Sequence, residues 1–246
     1  MSTQNVDTPM LESNRAYAIW AKDYPPVAHN PLMKAEERAV LSLIPGSLEG
    51  QKVLDAACGS GRYIRRALER GAAQVVGVDA SKEMLERGEQ EGVGVVAASF
   101  SDERREPQLV VGRLEELPLP DGWADLTICA LAVGHTPHLT QALKEMARCI
   151  KRGGLIVCSD FHPMRHALGF KRGFSSAGKR YEVEHHWHLY EAWHRACGLA
   201  GLTIREVKEA FVDPSEVAPE AITDSRLFEL AMGTPAVLVF GLSKTV

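Results

Sequence analysis

Apolar residues fall in short runs that alternate with longer amphipathic stretches through the middle of the chain. The apolar runs predict buried strands over residues 53–57, 74–79, 125–133 and 155–159. Between the last two, apolar residues recur every three or four positions over 139–150, which predicts a helix. Strands with nearly continuous apolar runs, separated by helices, are typical of a parallel sheet covered on both faces. The pattern therefore predicts an α/β fold with a doubly wound sheet.

Both ends of the chain depart from this alternation. Residues 1–50 are predicted to be helical, and one helix begins at Asn30, whose side chain can cap it, with Pro31 at the first helical position. Near the other end, 202–212 and 236–243 predict two strands without a long helix between them, so we expect them to pair antiparallel. Residues 91–108 are rich in glycine and charge, which predicts a mobile loop.

Composition and charge narrow the class of protein. Of 246 residues, 45% are apolar and 24% charged, as in ordinary soluble proteins, and the net charge of −4 gives no electrostatic footprint for nucleic acid. No apolar stretch approaches the roughly 20 residues that span a bilayer, and Met1–Ser13 lacks the features of a secretory signal. The five cysteines are odd in number and lack a C-x-x-C pair, which argues against a disulfide framework. We expect a cytoplasmic protein without a nucleic-acid or membrane partner.

A glycine turn between a predicted strand and a predicted helix carries the clearest chemical signal. Gly59 and Gly61 lie in this turn, where backbone can approach a nucleotide cofactor closely. Asp79 ends the following strand, 18 residues after Gly61. A carboxylate there can accept hydrogen bonds from both hydroxyls of a ribose. The segment is therefore predicted to bind a nucleoside-containing cofactor.

Asp55, just before the turn, separates two classes of such cofactors. A dinucleotide brings a pyrophosphate, which a carboxylate would repel, and usually requires a third glycine where this chain has Ile64. S-adenosylmethionine instead brings a sulfonium and an ammonium group, which Asp55 would attract. The order of acid and glycines therefore favours S-adenosylmethionine.

On these residues the chain resembles the class I S-adenosylmethionine-dependent methyltransferases. Within them it is similar to the methyltransferase type 11 group, which includes ubiquinone and menaquinone C-methyltransferases and the malonyl-carrier-protein O-methyltransferase. The resemblance covers 52–160 and rests on 53–61, 76–81, 117–125 and 152–154. It implies a Rossmann-like sheet of seven strands, mostly parallel with an antiparallel last strand. It also implies S-adenosylmethionine as cofactor and S-adenosylhomocysteine as product.

The resemblance also implies which residues contact the cofactor. Gly59 and Gly61 would line the methionine and ribose, Asp79 would hold the ribose, and Arg113 and Leu114 would border the adenine. The family often has an acid where this chain has Arg113, so either the backbone of Leu114 or Glu115 would read the adenine. The predicted cofactor-binding residues are Tyr17, Tyr24, Asp55, Cys58, Gly59, Gly61, Asp79, Ala80, Arg113, Leu114 and Ala130.

Three histidines are candidates for catalysis. Methyl transfer from a sulfonium depends on alignment and exclusion of water, and a base is needed only when the acceptor must lose a proton. His135 and His162 follow strands at the carboxyl edge of the sheet, where open α/β folds bind ligands. His186 is a candidate pocket or lid residue. A metal cluster around His186 lacks a companion ligand motif, so we predict no metal.

These observations predict a single methyltransferase domain over 1–246. It would comprise an N-terminal helical lid (1–50), a cofactor-binding core (51–160), and acceptor-pocket elements with the last two strands (161–246). Tyr17 and Tyr24 would either pack the lid against the domain or close it over the cofactor, as N-terminal helices of related enzymes do, with a tyrosine hydroxyl near the methionine carboxylate. The basic pair Lys171-Arg172 would lie in a solvated loop or contact an anionic acceptor.

The favoured function is methyl transfer to O, N or C of a small, biosynthetic acceptor. Three alternatives stay open: methylation of a protein, peptide or carrier-bound acyl group, a non-catalytic S-adenosylmethionine-binding module, and a nicotinamide-dependent oxidoreductase. The pattern does not distinguish a monomer from a homodimer.

Overall fold

The computed structural model describes residues 8–219 and 224–244, so the first seven residues of the predicted lid and the last two of the chain lie outside it. The strands are β1 (Met10–Leu11), β2 (Lys52–Ala56), β3 (Gln74–Asp79), β4 (Val95–Ala97), β5 (Gln108–Val111), β6 (Ala124–Ala130), β7 (Ile150–Phe161), β8 (Gly173–Ser176), β9 (Lys179–Val183), β10 (Leu202–Ala210) and β11 (Val237–Lys244). The helices are α1 (Ser13–Trp20), α2 (Pro31–Leu41), α3 (Arg62–Glu69), α4 (Lys82–Gln90), α5 (Leu139–Cys149), α6 (Pro163–Ala167), α7 (Tyr190–Leu199) and α8 (Ser225–Met232).

The larger sheet confirms the predicted doubly wound α/β fold. Its strand order is β10-β11-β7-β6-β2-β3-β5-β4. The last strand, β11, runs antiparallel to both neighbours, as predicted, while β2, β3, β4, β5, β6 and β7 pair parallel. The two faces of the sheet are covered by separate cores: Leu54 and Val76 contribute to one, and Val53 and Val75 to the other.

The sheet has eight strands rather than seven, because the segment predicted to be a mobile loop contains β4. This strand pairs with β5 at the edge, with Val95 opposite Gln108. Three consecutive small apolar residues are enough to extend the sheet, and the glycines and charges that flank them concealed this short strand. The residues on either side of β4 connect α4 to β5 without regular secondary structure, in agreement with the predicted loop.

The glycine pair after α5 marks an irregularity in a strand and not the end of the helix. The sequence predicts a helix up to Gly153-Gly154, but α5 ends at Cys149 and β7 runs through both glycines. The pairing of β6 with β7 shifts there. Gly153 has φ +75°, and a Cβ on Gly154 would lie 2.9 Å from the carbonyl oxygen of Asp125. The two glycines therefore allow the bulge.

A smaller second sheet joins the two flanking parts of the chain. Its order is β1-β9-β8, with β1 parallel to β9 and β8 antiparallel to it. Helix α1 packs on this sheet, and the rings of Trp20 and Phe174 stack at 4.7 Å. We call residues 10–23 and 172–183 the flap. Within the described ranges, no helix has the length and hydropathy needed to cross a membrane.

Candidate cofactor and acceptor site

The predicted glycine turn connects β2 to α3 with the conformation that glycine permits. Gly59 and Gly61 have φ of +55° and +91°, and Gly61 precedes the first residue of α3. A Cβ on Gly61 would lie 2.3 Å from Cγ1 of Val93, so a side chain at this position would collide with its neighbour. Gly61 therefore shapes the turn from behind, while Gly59 faces the pocket.

Asp79 joins the glycine turn to the start of α4. Its Oδ2 accepts a hydrogen bond from the Gly59 N–H at 2.7 Å, and its Oδ1 accepts one from the Ser81 N–H at 2.8 Å. Burial raises the pKa of Asp79, and these two hydrogen bonds oppose that rise. Each carboxylate oxygen has a second lone pair, so Asp79 can still accept hydrogen bonds from the pocket.

Asp55 supplies a buried carboxylate atom without a partner. The residue is 2% exposed, and its Oδ2 has no hydrogen-bond partner among residues 8–219 and 224–244. Burial raises the pKa of Asp55 to about 7, although the positive charge of Arg62 acts in the opposite direction. A buried acceptor that lines a pocket and lacks a donor is suited to a cationic or hydrogen-bonding ligand group.

A buried polar network that was not predicted from the sequence holds Arg62 and Tyr63, two residues of the pocket lining. Glu36, fully buried on α2, pairs with Arg62 at 2.7 Å and accepts hydrogen bonds from Tyr63 at 2.9 Å and Ser159 at 2.6 Å. The network connects α2 to α3 and β7. The signal was a charge on the apolar face of a predicted helix, four residues after Leu32, where solvent exposure would be unexpected.

Most of the residues predicted to contact the cofactor line one pocket at the carboxyl edge of the parallel strands. They are Tyr17, Tyr24, Asp55, Cys58, Gly59, Asp79, Ala80, Arg113, Leu114 and Ala130. On the predicted adenine side, the Arg113 side chain is exposed and its Nε lies 3.5 Å from Glu115. Glu115 also lines the pocket and accepts a hydrogen bond from Thr136.

The flap lines another side of this pocket, where a chain of hydrogen bonds connects Tyr17, Arg172 and His135. The Tyr17 hydroxyl lies 3.1 Å from Nε2 of His135 and accepts a hydrogen bond from Nη2 of Arg172. Nδ1 of His135 lies 3.4 Å from the carbonyl oxygen of Glu184. A single arrangement of protons is consistent with all three contacts. Arg172 donates to the Tyr17 hydroxyl, that hydroxyl donates to Nε2 of His135, and Nδ1–H of His135 donates to the Glu184 carbonyl. Burial, with the charge of Arg172 second, lowers the pKa of His135 well below its usual value, so the ring is neutral.

The other two candidate histidines lie outside the pocket lining. Nδ1 of His162 accepts a hydrogen bond from the Met164 N–H at the start of α6, and its Nε2 lies 3.3 Å from Glu209. His186 donates its backbone N–H to the carbonyl oxygen of Gly134 at 2.7 Å. The catalytic roles predicted for His162 and His186 therefore have no support from their positions.

His185, which was not a candidate, lies beneath the loop that carries His135. Its side chain is 2% exposed, and its Nε2 lies 3.5 Å from Oδ1 of Asp160 without hydrogen-bond geometry. A Cβ on Gly134 would lie 1.9 Å from Cε1 of His185, so the ring packs directly on this glycine. Nothing in the local sequence signals this contact, which spans about 50 residues. Across the described residues, no three His, Cys, Asp or Glu side chains come together as metal ligands would.

Comparison with known proteins identifies the fold and the pocket together. A family model described as a methyltransferase domain matches residues 54–158, the segment that contains the glycine turn, Asp55 and Asp79. This match covers rather less than half of the chain and supports the resemblance of that segment to the class I S-adenosylmethionine-dependent methyltransferases. S-adenosylmethionine is the cofactor of this methyltransferase family, and the pocket fits it: the unpartnered Oδ2 of Asp55 can face an ammonium group, and Asp79 can face a ribose.

Two curated relatives and one solved structure illustrate the extent of the similarity. An uncharacterized protein of Haemophilus influenzae is 31% identical over 139 residues, which are 56% of this chain and 52% of that protein. A demethylmenaquinone methyltransferase of Bacillus licheniformis is 30% identical over 126 residues, half of each chain. The chain thus spans about half the length of these curated relatives. An S-adenosylmethionine-dependent methyltransferase from Mesorhizobium loti, 22% identical, shares the fold with a TM-score of 0.63 over 85% of this chain and 98% of its own.

Proposed function

We propose that this protein transfers the methyl group of S-adenosylmethionine to O, N or C of a small-molecule acceptor. One observation carries the proposal: the pocket of the cofactor-binding core continues to Tyr17, His135 and Arg172. The flap contributes Tyr17 and Arg172 to the pocket wall, and His135 lies on the loop that follows β6. A concave pocket lined by polar groups is suited to a small acceptor, whereas a polymer would need an open groove.

The residues of the chain contribute alignment and the exclusion of water. When bound, S-adenosylmethionine supplies a methyl group on a positively charged sulfur. The acceptor nucleophile bonds to the methyl carbon in line with the carbon–sulfur bond, and the sulfur leaves as the neutral thioether of S-adenosylhomocysteine. Asp55 and Asp79 would fix the methionine end and the ribose of the cofactor, because they offer acceptors for its ammonium group and its ribose hydroxyls. Tyr17 on α1 would exclude water from the pocket, since its side chain lines the pocket and packs edge-on against the His135 ring.

His135 is placed to take a proton from an acceptor that must lose one. Its imidazole is neutral at neutral pH, which is the form that accepts a proton. In the free protein, Nε2 faces the Tyr17 hydroxyl, and Nδ1–H is directed to the Glu184 carbonyl. An acceptor hydroxyl or amine that replaces Tyr17 at Nε2 would deliver its proton to that atom.

Transfer of an isotope-labelled methyl group tests the proposal. Purified protein is incubated with methyl-labelled S-adenosylmethionine and an extract of the host, and label is measured in the small-molecule and macromolecular fractions. We expect label in small molecules, lost in Asp79→Ala and retained in Asp121→Ala, which changes an exposed acid on the surface. Label in protein would favour the alternative acceptors. Measurable binding of S-adenosylhomocysteine without label in either fraction would contradict methyl transfer.

A further inference from the structure

Arg172 is a buried cation without an anionic partner in the described structure. The residue is 8% exposed and lines the pocket. Its Nη1 donates to the carbonyl oxygen of Leu131 at 2.7 Å, and its Nη2 donates to the Tyr17 hydroxyl. Within residues 8–219 and 224–244, its guanidinium forms no ion pair at 4.0 Å or less. A buried guanidinium without a direct ion pair is unfavourable. Burial raises the pKa of Asp160 and the positive charge of Arg172 acts in the opposite direction, but that carboxylate lies beyond 4.0 Å, so the guanidinium can still take an anion from the pocket.

The other arginines of the pocket differ from Arg172 in this respect. Arg62 pairs with Glu36 at 2.7 Å, and Arg113 is exposed and lies 3.5 Å from Glu115. Two acids of the pocket, Asp55 and Asp79, face the positions expected for the ammonium group and the ribose. The negative charges of Asp55 and Asp79 would thus interact with the cofactor, whereas the positive charge of Arg172 has no such assigned group.

The position of Arg172 is on the acceptor side of the pocket. It contacts Leu131, just beyond the end of β6, whereas Asp79 ends β3, and β2 lies between these two strands. Adjacent strands are about 4.8 Å apart, so the two sites are separated by roughly 10 Å across the sheet edge. Arg172 and Tyr17 also lie outside residues 54–158, the part that matches the family. They belong to the flanking segments, and such peripheral segments distinguish members of one fold.

The geometry of the donors favours a carboxylate. A guanidinium has five N–H donors in a planar arrangement that matches the two oxygens of a carboxylate, and two protein acceptors use only part of this set. Once the acceptor displaces Tyr17 from Nε2 of His135, the Tyr17 hydroxyl can donate its single hydrogen bond to the same carboxylate. A lysine at this position would offer the charge without the planar pair of donors.

We propose that Arg172 and Tyr17 bind a carboxylate group of the acceptor, so that the acceptor is a small carboxylic acid. This inference rests on the proposed methyl transfer, because it assigns a class of molecule to the acceptor side of that pocket. The carboxylate anchors the acceptor beneath the flap and beside His135. The other source of a carboxylate in this pocket is the methionine part of the cofactor, and the experiment separates the two.

Binding of small acids to the protein loaded with S-adenosylhomocysteine tests the anchor directly. Butyrate, octanoate, benzoate and phenylacetate are titrated by calorimetry, each against its primary amide. We expect saturable binding of at least one acid, with its amide at least tenfold weaker. Arg172→Met should weaken that acid roughly 10- to 100-fold, the loss of a charge-assisted hydrogen bond. Arg172→Lys should recover only part of the affinity, and Tyr17→Phe should weaken the acid several-fold. The matched control, Lys171→Met, should change nothing, because Lys171 is exposed and pairs with Glu182 on the surface.

The affinity for S-adenosylhomocysteine itself decides the source of the carboxylate and reports folding of the variants. We expect Arg172→Met to bind it within twofold of the wild type. If Arg172→Met binds it tenfold more weakly, and this loss disappears with the decarboxylated analogue, Arg172 binds the cofactor and the proposal is wrong. Acids that bind no better than their amides would also overturn it. These are binding measurements, so they succeed or fail independently of the methyl-label experiment.

Discussion

The affinity of this protein for S-adenosylhomocysteine should rise with pH as Asp55 loses its proton. Asp55 is buried, and burial raises its pKa to about 7, so in the free protein about half of the molecules carry a neutral Asp55 at pH 7. The ammonium group of the ligand favours the ionised carboxyl, because opposite charges attract strongly in a buried site. Below pH 7, binding must therefore expel the proton from Asp55, and this costs free energy.

The size of the effect follows from the pKa. The apparent dissociation constant increases by the factor 1 + 10^(7−pH), so affinity should rise roughly eightfold, or about 1.2 kcal/mol, between pH 6.0 and 7.5. At pH 7, binding should release about half a proton. The contribution of Asp55 to the stability of the free protein depends on pH in the opposite direction: it falls as pH rises. Because the folded pKa of Asp55 is above its unfolded value, its contribution to the stability of the free protein is full below about pH 4 and is lost as pH rises through about 7.

Calorimetry in two buffers of different ionisation enthalpy measures the affinity and the released protons together. Asp55→Asn should bind the ligand more weakly at pH 7.5 and show a flat profile. Asp160→Asn is the matched control: burial also raises the pKa of Asp160 to about 7, but its carboxylate lies outside the pocket lining and accepts the Phe161 N–H. An affinity that is equal at pH 6.0 and 7.5, or an unchanged slope in Asp55→Asn, would refute the reasoning.

Three further substitutions test other parts of the site. Asp79→Ala should weaken binding of S-adenosylhomocysteine by about 2 to 4 kcal/mol in calorimetry, because it removes the ribose acceptors and the anchor of the glycine turn; exposed Asp121→Ala should not. Gly134→Ala should lower the free energy of unfolding in urea by about 1 to 3 kcal/mol, because its Cβ would overlap His185. Adding His185→Ala should recover part of this loss. His135→Ala should slow methyl transfer to a proton-bearing acceptor roughly 100-fold, with ligand affinity within twofold.

Each of these results has an outcome that contradicts the structural interpretation. Unchanged affinity in Asp79→Ala would place the ribose elsewhere. A Gly134→Ala variant as stable as the wild type would mean that the His185 ring can move away at no cost. Full activity of His135→Ala on such an acceptor would remove that histidine from the mechanism.

The cofactor side of the site was predictable because it is local in sequence. Asp55, Gly59 and Gly61 lie within seven residues of one strand, turn and helix, and Asp79 ends the next strand. In parallel sheets of this kind, consecutive strand ends meet at one edge, so the spacing alone brings these groups together. The buried Glu36 was also accessible in principle, since a charge on an apolar helix face requires a partner.

The acceptor side was not predictable, because its contacts join distant parts of the chain. Arg172 and Tyr17 are 155 residues apart, and His135 and Glu184 are 49 apart. Neither pair has a periodicity or spacing that would indicate contact. A glycine in the sequence can also be interpreted in two ways. Glycine often follows the last turn of a helix, but the positive φ of Gly153 allows a bulge in β7 instead.

The parallel pairing of β1 with β9 has a consequence for how such a chain can diversify. Residues 10–11 and 182–183 form one register, and Tyr17 and Arg172 lie on the two segments that this register holds together. The segments are separated in the gene by the whole cofactor-binding core, yet they form one structural unit. A chimera that takes only one of the two segments from another protein would pair β1 with a β9 of different sequence. It would also place the Tyr17 hydroxyl against a residue other than the native Arg172, or the reverse. If Tyr17 and Arg172 bind the acceptor as proposed, a change of specificity requires both segments to change together, and a recombination point within the core would separate them.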